Sequence, residues 1–499
     1  MESEILSFYK DKTVFITGGT GFLGKVIIEK LLRATDVKRI YFLVRPKRGE
    51  RVEGRFEAWK KDKIFEALLK DKPRALEHVT PIAGDCCALN LAISEADRRI
   101  LAEEVQVLMH GAASVRFMEP LQDALNINTR AVRLVVQLAK EMRRLEAFLH
   151  ISTAFSNCVV DHIQERFYPE NLTCPFDKVL DLSESLSTEM VNKMAPTLMG
   201  RFPNTYTYTK ALGEQVIQEE AGDLPVGVFR PAIIFSVFKE PLPGWVDGLQ
   251  GLGGMIYATA YGVLHLMLVN PKAKALVVPA DYCVNVAIAS VVQIAKKASG
   301  AKESVLPIFT YTPCQSNDVT YGEVIEKCYA NGLAVPNTKM IWYPFTHNIG
   351  CPWLYSVGVY LYHMLPGLLL DVILRLKGEK PTMIKAYHKI HEGVRVLFPF
   401  SKKTFTMDTH NTDQMWQSMT PADKRTFHFN LSNLNWDEYF TTVMDGVRLY
   451  LFKDLRTPES VANGKRILSR YYVWDRTLKL VLILLFGGFI WYMFNLVFN

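Results

Sequence analysis

A glycine-rich stretch near the N-terminus restricts the fold of this 499-residue chain more than any other feature. An apolar run at 14–16 is followed by Gly18, Gly21 and Gly24 at three-residue spacing, and helix-forming sequence covers 22–32. A buried strand, a glycine turn and a helix in this order are typical of dinucleotide binding. The first glycine permits a sharp turn, the second lets the backbone approach a pyrophosphate, and the third lets the helix pack on the strand. We therefore expect phosphates to bind at the helix N-terminus.

A second set of glycines, Gly248, Gly251 and Gly254, has the same spacing. No strand-like run leads into it, and it lies in a glycine-rich stretch that begins at Gly244. Because spacing alone is weak evidence for a nucleotide site, the flanking sequence decides. We predict a loop at the second set and nucleotide binding at the first.

Apolar runs alternate with helix-like sequence after the glycine stretch. The runs predict strands at 40–44, 79–83, 105–109 and 147–151. Strands alternating with helices imply an α/β fold with a Rossmann-type, doubly wound parallel sheet. Ligands of such sheets bind beyond the carboxyl ends of the strands, so residues at those ends are the candidates for a site.

The second predicted strand ends in Arg45-Pro-Lys47-Arg48. An NAD site usually carries a carboxylate here, about twenty residues after the glycines, to bond the ribose 2′-hydroxyl. A guanidinium suits a 2′-phosphate instead, so Arg45, with Lys47 beside it, favours NADPH over NADH. The alternative is a basic turn that meets only water. Asp85 follows the third strand, where it either bonds the adenine edge or caps a loop.

Tyr206 and Lys210 form the single Y-x-x-x-K sequence of the chain, at the start of a predicted helix that runs to about residue 220. Residues four apart lie on one helix face, and an ammonium beside a phenol lowers a pKa that starts near 10. Tyr206 is therefore a candidate proton donor or acceptor. Ser152 and Thr153 end the fifth predicted strand and could join it. The alternative is an ordinary exposed Tyr/Lys pair.

With these motifs the chain resembles the extended short-chain dehydrogenase/reductase superfamily and, within it, the alcohol-forming fatty acyl-CoA reductases. The residues that carry the resemblance are TGGTGFLGK (17–25), YFLVRPKRG (41–49), HGAASVRF (110–117), HISTAFSN (150–157), YTYTK (206–210), VFRPAIIFS (228–236), PGWVDGLQG (243–251), VPADYCVN (278–285) and parts of 362–390. The RPKRG strand end and the C-terminal part narrow the likeness to the reductases.

The resemblance implies that Thr153, Tyr206 and Lys210 are the catalytic group, without deciding between Thr153 and Ser152. Asn128, in a predicted helix at 121–142, matches the asparagine of the family's N-V-x-G-T helix, but this chain reads Asn-Thr-Arg-Ala-Val. A functional role and a structural, helix-positioning role are both open for Asn128. The full candidate cofactor-binding set is Gly18, Thr20, Gly21, Phe22, Leu23, Gly24, Arg45, Lys47, Asp85, Asn128 and Lys210.

The resemblance also implies an activity. We expect reduction of a long-chain or very-long-chain acyl-CoA to a primary fatty alcohol, with two NADPH and an aldehyde intermediate. A membrane-bound hydroxysteroid-type or other NADP-dependent alcohol dehydrogenase is the alternative within the same fold, and a non-enzymatic NADP-binding scaffold is the alternative outside enzymes. The RPKRG strand end argues against the first, and the intact Thr-Tyr-Lys set argues against the second.

Composition excludes some classes of function. A net charge of +7 suits anionic partners such as nucleotides, coenzyme A or acidic lipid surfaces, but it is too diffuse to indicate nucleic-acid binding. The eight cysteines contain no C-x-x-C pair, so we expect reduced thiols and no metal site. The sequence does not indicate an oligomeric state.

Two later stretches are apolar enough to concern membranes. Residues 353–376 contain His363, Pro366 and Asp371, which favour a buried or interfacial helical element over a span. Residues 480–498 are apolar apart from Asn495, close to the roughly 20 residues that a spanning helix needs. We predict a single-pass C-terminal anchor there; a hydrophobic hairpin in one leaflet is the alternative.

The cations before the last stretch predict its orientation. They are Lys465, Arg466, Arg470, Arg476 and Lys479, and no charged side chain follows them. The positive-inside bias then places the catalytic part in the cytosol. The family resemblance suggests the endoplasmic reticulum or the peroxisome.

We expect three regions in chain order. They are an NADPH-binding reductase domain at 1–350, a helical C-terminal domain at 351–470 and the transmembrane anchor at 476–498. Residues 243–278, rich in Gly, Leu, Met and Tyr, form either an acyl-chain lining or an ordinary core.

Overall fold

The computed structural model describes residues 2–46, 51–248, 251–300 and 306–498. The chain folds into two compact units, each built from three separate segments. Unit 1 comprises Met1–Pro243, Lys274–Val319 and Lys403–Leu434, and unit 2 comprises Gly244–Ala273, Thr320–Lys402 and Asn435–Asn499. The division in chain order into 1–350, 351–470 and 476–498 stays a prediction.

Unit 1 contains a seven-stranded parallel sheet, in the order β11-β7-β5-β4-β1-β2-β3. The described strands are β1 (Thr13–Thr17), β2 (Arg39–Val44), β3 (Val79–Ala83), β4 (Val107–His110), β5 (Ala147–Ile151), β6 (His162–Ile163), β7 (Val226–Pro231), β8 (Ile233–Ile234), β9 (Leu266–Leu268), β10 (Val277–Val278), β11 (Ile308–Tyr311), β12 (His347–Ile349) and β13 (Thr406–Met407). The chain runs outward from β1 to β3 and then returns to β4 on the other side of β1, which creates the switch point where dinucleotides bind. The predicted fold class is confirmed.

The register of the sheet brings the carboxyl ends of its central strands level. Thr17 at the end of β1 pairs with His110 of β4, and His110 pairs with His150 of β5. All residues of β1 and β5 are buried, as expected for strands covered on both faces. Residues that follow these strands therefore meet along one edge of the sheet.

Helices account for most of the remaining described chain. The α-helices are α1 (Glu4–Tyr9), α2 (Phe22–Ala34), α3 (Val52–Lys60), α4 (Glu66–Asp71), α5 (Glu95–Glu104), α6 (Leu121–Leu125), α7 (Ala131–Glu141), α8 (Phe176–Ser185), α9 (Thr188–Met199), α10 (Thr205–Glu220), α11 (Gly251–Ala260), α12 (Ala280–Gly300), α13 (Tyr321–Ala334), α14 (Pro352–Val359), α15 (Leu365–Leu376), α16 (Met383–Ser401), α17 (His410–Ser418), α18 (Pro421–Thr426), α19 (Trp436–Gly446) and α20 (Pro458–Phe498). In unit 1, α2 contacts α12, whereas α7 contacts α5 and α10.

Short π-helical and 3₁₀ turns supplement these helices. The π-helical turns are Asn126–Arg130, Tyr360–Met364 and Val447–Leu451, and the 3₁₀ turns are Lys63–Phe65, Ala75–His78, Leu89–Ala92, Pro169–Asn171 and Gln315–Asn317. The predicted helix at 121–142 is therefore α6, a π-helical turn and α7 in direct succession.

The loop predicted at the second set of glycines is wrong in part. Gly248 has φ +100° and Gly251 has φ +56°, but Gly251 begins helix α11, which includes Gly254. Gly253 and Ile256 are buried, and α11 packs against α13 and α16 within unit 2. Tertiary packing thus outweighs the poor helix propensity of glycine. No strand leads into these glycines among the residues described up to Gly248.

Unit 2 is mainly helical and contains both apolar stretches. Helices α14 and α15, with the π-helical turn between them, form one helical segment, Pro352–Leu376. This segment and α20 are both long and apolar enough to cross a membrane. The apolar part of α20 is wholly exposed, which makes it a candidate membrane anchor, and only 22% of the apolar part of Pro352–Leu376 is buried. Most residues of 353–376 are therefore not buried, and an interfacial helix and a membrane span both stay open.

Candidate functional site

The glycine turn joins β1 to α2 through very close backbone packing. Gly18 has φ +80°, and a Cβ atom there would lie 2.7 Å from the Ala112 backbone N. A Cβ atom on Gly24 would lie 2.3 Å from the Gly18 carbonyl oxygen. Neither position has room for a side chain, so these two glycines hold α2 against β1.

Gly21 differs from the other two glycines. It is the N-cap of α2 with φ −85°, and no side chain caps the helix. A Cβ atom there would meet one atom outside the adjacent residues, the Gly18 oxygen at 3.3 Å. Thr20, Phe22 and Leu23, around Gly21, are partly buried. The helix N-terminus is therefore open at Gly21, where phosphates are expected.

Arg45 and Asp85 lie at the same edge of the sheet as the glycine turn. Arg45 follows β2 directly and is exposed, and the last residues of β2 and β3 are paired. The Asp85 carboxylate accepts a hydrogen bond of 3.0 Å from the Cys87 backbone N–H. Asp85 therefore caps the loop after β3, which was one of its two predicted roles. Lys47 lies outside the described residues.

The predicted catalytic residues meet at the carboxyl end of β5. Helix α10 begins after Asn204, whose side-chain oxygen accepts from the Thr207 N–H at 2.9 Å. One turn of this helix separates Tyr206 from Lys210. The Tyr206 hydroxyl is hydrogen-bonded to the Thr153 side chain, and Lys210 Nζ donates to the Ile151 carbonyl oxygen at 2.7 Å. The structure thus brings Thr153, Tyr206 and Lys210 together.

The protonation of this group differs from the prediction. Burial raises the pKa of Tyr206 to about 12, and the hydrogen bond with Thr153 opposes that rise only partly. Burial lowers the pKa of Lys210 to about 8, against the opposing charge of Glu214. The predicted lowering of the Tyr206 pKa is wrong because desolvation of the phenolate dominates. Tyr206 therefore keeps its proton near neutral pH.

A buried ion pair lies next to this group. Arg230 donates to both carboxylate oxygens of Glu214, at 2.9 and 2.6 Å, and both side chains are buried. Arg230 also donates to the backbone oxygens of Gln164 and Arg166. The Ser152 hydroxyl donates to the same Glu214 carboxylate. Ser152 therefore belongs to the ion-pair network, and Thr153 is the hydroxyl at Tyr206.

Asn128 connects the loop after β4 to helix α10. Its side-chain oxygen accepts from the Ser114 N–H at 2.9 Å, and its amide donates to the Ser114 carbonyl and the Thr209 hydroxyl at 3.1 and 3.0 Å. A Cβ atom on Gly213 would lie 2.7 Å from the Asn128 carbonyl oxygen, so the backbones pack closely. These contacts support the structural role of Asn128, which holds α10 against the π-helical turn.

The sequence of this chain is similar to that of known proteins over most of its length. Family models described as "Male sterility protein" match residues 16–287 and 362–454. "Fatty acyl-CoA reductase wat" of Drosophila melanogaster is 40% identical over 94% of this chain and 90% of its own length. "Fatty acyl-CoA reductase 2" of Bos taurus is 35% identical over 96% of this chain and 92% of its own length. The chain belongs to the fatty acyl-CoA reductase family.

Solved structures agree with this family's fold. The terminal R domain of the myxalamid PKS-NRPS pathway matches with a TM-score of 0.57 at 18% identity, over 90% of this chain and 93% of that one. The R domain of a nonribosomal peptide synthetase from Mycobacterium tuberculosis matches with a TM-score of 0.56 at 16% identity, over 90% and 96%. Together with the family, the Rossmann-type fold identifies an oxidoreductase that binds a nicotinamide cofactor.

The residues of this reductase fit such a cofactor. The uncapped N-terminus of α2 at Gly21 suits a pyrophosphate. The glycines on either side of it, Gly18 and Gly24, have no side chain, and a Cβ atom on either would collide with neighbouring backbone. In the described part of the chain, no group of three or more His, Cys, Asp or Glu side chains is arranged to hold a metal ion.

Sequence reasoning missed two histidines of the reductase site. His110 Nδ1 and the Thr17 hydroxyl share a hydrogen bond of 2.6 Å, and the rings of His110 and His150 stack at 5.4 Å. Burial and the nearby Lys210 charge lower the pKa of both histidines. Both rings are therefore neutral and add no positive charge near Lys210. Their position at the start of HGAASVRF and HISTAFSN was the available signal.

Unit 2 of the reductase contains an apolar cavity. Residues of the segment 243–278 line it together with α13 and the turn after α19, and four methionines contribute: Met255, Met267, Met340 and Met444. Its charged lining residue, Arg448, is ion-paired to Asp454 at 3.2 Å. Part of segment 243–278 thus lines an apolar cavity, and its role as an acyl-chain lining stays a prediction.

The glycine geometry gives a matched pair of substitutions. Gly24→Ala should destabilise the protein by about 1–3 kcal/mol, because the new methyl group overlaps the Gly18 carbonyl. Gly21→Ala should leave stability within about 0.5 kcal/mol but weaken cofactor binding, since its methyl group occupies the open helix end. Thermal unfolding of the detergent-solubilised protein and cofactor titration measure both quantities. Equal stability of the two variants would contradict the packing described here.

Proposed function

We propose that this protein reduces long-chain or very-long-chain acyl-CoA to a primary fatty alcohol, with two NADPH and an aldehyde intermediate. The observation that carries the proposal is the hydrogen-bonded Thr153–Tyr206 pair beside Lys210, at the same sheet edge as the glycine turn. The names of the curated relatives support the substrate class, since they match over most of the chain. NADPH, when bound, supplies the hydride for each reduction.

The protein's own groups stabilise and protonate the oxygen of the substrate. Thr153 and Tyr206 both offer hydroxyl groups to the thioester carbonyl oxygen, where negative charge develops. An alkoxide is more basic than a phenolate, so Tyr206 gives up its proton to that oxygen even with a pKa of about 12. Lys210 lies one helical turn from Tyr206 on α10 and donates to the Ile151 carbonyl oxygen at the end of β5.

The same residues serve a second reduction. The tetrahedral hemithioacetal expels coenzyme A as the thiol and leaves an aldehyde. Tyr206 regains a proton from water before the second reduction. The aldehyde oxygen occupies the position of the thioester oxygen, between Thr153 and Tyr206, and takes this second proton from Tyr206. The alcohol is the product, and four electrons have been transferred in two steps.

Arg45 supports the choice of NADPH. It is exposed directly after β2, at the position where NAD-selective sites carry a carboxylate. Its guanidinium suits the doubly charged 2′-phosphate and has no matching group on NADH. Lys47 would add a second cation.

The cavity in unit 2 is the proposed binding site for the acyl chain. Its lining is mainly apolar, as in most sites that bind small apolar ligands. Methionine side chains are flexible and polarizable, so they adapt to a chain of variable length. The one charged lining residue is neutralised by Asp454, which keeps the cavity suited to hydrocarbon.

A membrane location supports the same function. The substrate and the alcohol product partition into lipid, and α20 provides an exposed apolar helix. The cations before residue 480 favour a cytosolic catalytic part by the positive-inside bias. We propose a single-pass anchor in the endoplasmic reticulum or the peroxisome.

The product assay tests the activity directly. Detergent-solubilised protein with NADPH and acyl-CoAs of increasing length should form alcohol, with two NADPH oxidised per acyl-CoA, as measured by mass spectrometry and absorbance. Tyr206→Phe should lower turnover by about 10²- to 10⁴-fold, the usual contribution of a general acid, while cofactor binding persists. Aldehyde as the sole product would limit the enzyme to two electrons, and full activity of Tyr206→Phe would remove its assigned role.

Arg45→Asp tests the cofactor. The affinity for NADPH should fall about 10- to 100-fold more than that for NADH, because charged hydrogen bonds to the 2′-phosphate are lost. Fluorescence titration with both cofactors measures the two changes on one variant. An equal loss for NADPH and NADH would show that Arg45 does not select the 2′-phosphate.

Gly332→Leu tests the acyl-chain cavity. Gly332 lines the cavity, and even a Cβ atom there would lie 3.2 Å from the Met444 methyl carbon, so a leucine side chain must fill the space. The longest acyl-CoAs should lose kcat/KM by about fourfold per excluded methylene, and short ones should be unaffected. Ala330→Leu, at an exposed position of the same helix, is the control. A uniform loss at all chain lengths would place the acyl chain elsewhere.

A further inference from the structure

The helical segment Pro352–Leu376 presents a continuous apolar surface that no described residue covers. Twelve of its large apolar side chains are more than 40% exposed: Trp353, Leu354, Val357, Tyr360, Leu361, Leu365, Leu368, Leu369, Leu370, Val372, Ile373 and Leu376. Soluble proteins rarely expose contiguous apolar patches larger than a few hundred Å². This surface therefore needs an apolar partner.

A narrow stripe holds the segment to the rest of unit 2. Tyr355, Val359, His363, Gly367 and Asp371 are buried, and they follow one another at intervals of four residues. Residues at this spacing lie on one side of a helix. The other sides of the segment are thus free to meet a partner.

The one carboxylate of the segment, Asp371, does not lie on its apolar face. Asp371 accepts hydrogen bonds from the backbone N–H groups of Thr382 and Met383, both at 2.8 Å, and of Ile384 at 3.1 Å. It thereby caps the N-terminus of α16, where a negative charge is stabilising. The sequence places a charge in the segment, but the fold removes it from the apolar surface.

Helix α16 argues against a segment that crosses the hydrocarbon. It runs back along the segment, since Met383 contacts Asp371, Tyr387 packs on Gly367, and His391 accepts from or donates to the Tyr355 hydroxyl at 2.6 Å. Its exposed side chains include Lys385, His388, Lys389, Glu392 and Arg395. A crossing segment would bring these groups into lipid at a cost of several kcal/mol each. A segment lying flat keeps them in water.

Phe345, in the loop before the segment, lies close both to the segment and to the start of the apolar part of α20. Lys479 Nζ lies 3.9 Å from the centre of the Phe345 ring, and the Tyr362 ring lies 6.2 Å from the same ring. Lys479 is the last charged residue before the apolar part of α20, so it belongs at the level of the lipid head groups. Through Phe345, Tyr362 of the segment lies near that level.

Exposed cations surround the end of the segment. They are Arg375, Lys377 and Lys380. Cations beside an apolar helix face strengthen binding to anionic lipid surfaces. The apolar face, the inward carboxylate of Asp371 and the flanking cations therefore all favour an anionic lipid surface as the partner.

We propose that Pro352–Leu376 lies in the plane of the membrane surface, with its apolar face among the upper acyl chains and its cations at anionic head groups, beside the point where α20 enters the same membrane. Unit 2 then has two distinct membrane contacts, one in the plane and one across it.

Photolabelling of the unaltered full-length protein tests this arrangement. The protein is reconstituted into vesicles of phosphatidylcholine and phosphatidylserine that contain a lipid with a diazirine either near its head group or at the end of its acyl chain, and labelled peptides are identified by mass spectrometry. We expect the head-group-proximal probe to label 352–376 and the terminal probe to leave it unlabelled. Peptides from 480–496 should react with the terminal probe, and peptides from the exposed face of α16 should react with neither.

Substitution at one exposed leucine adds a matched control. Leu369→Glu should reduce labelling of 352–376 several-fold, whereas Ala386→Glu, at an exposed position of α16, should leave it unchanged. Labelling of 352–376 by the terminal probe as strong as that of 480–496 would overturn the proposal in favour of a span. Absence of labelling would also overturn it, and would assign the surface to a protein partner such as a second copy of the chain. None of these readouts depends on catalytic activity.

Discussion

Backbone-to-backbone packing at the carboxyl end of β1 is the constraint on which the site depends. Gly24 approaches Gly18 so closely that a single methyl group would overlap a carbonyl oxygen, and Gly18 in turn packs against the residues after β4. This packing fixes the end of α2 relative to β1 and β4, the two strands at the switch point of the sheet. A helix N-terminus with no side-chain cap is left at the position where the strand order reverses, which is where a dinucleotide is held.

Helix α10, which carries the proposed catalytic residues, is fixed by a different kind of contact. Asn128 and Gly213 hold it against the π-helical turn, and the Glu214–Arg230 ion pair holds its buried side next to β7. Removing one partner of a buried ion pair typically costs about 3–5 kcal/mol, so the pair keeps α10 in one position. Glu214 also opposes the loss of the Lys210 proton. Structural support and proton control of the site thus use the same carboxylate.

Unit 2 has three apolar features. Its cavity encloses apolar space among methionines, its helix α20 exposes an apolar run, and its segment Pro352–Leu376 exposes one face while turning Asp371 inward. All three features suit a protein whose substrate and product are lipids. The polar outer face of α16 limits how deeply the segment can enter a bilayer, because charged groups are costly in hydrocarbon.

Local patterns in the sequence were sufficient for the strand–turn–helix at Gly18–Gly24, the parallel sheet, the pairing of Tyr206 with Lys210 on one helix face and the apolar C-terminal run. Each of these depends on residues close in sequence, whose spacing and hydrophobicity repeat with a helix or strand. Tertiary structure alone decided between Ser152 and Thr153, because adjacent residues after a strand point to different partners, Glu214 and Tyr206. It also reversed the predicted shift of the Tyr206 pKa, since burial depends on elements distant in sequence. The sequence likewise could not predict that the Asp371 side chain points inward, because it caps α16 only once α15 and α16 have packed together.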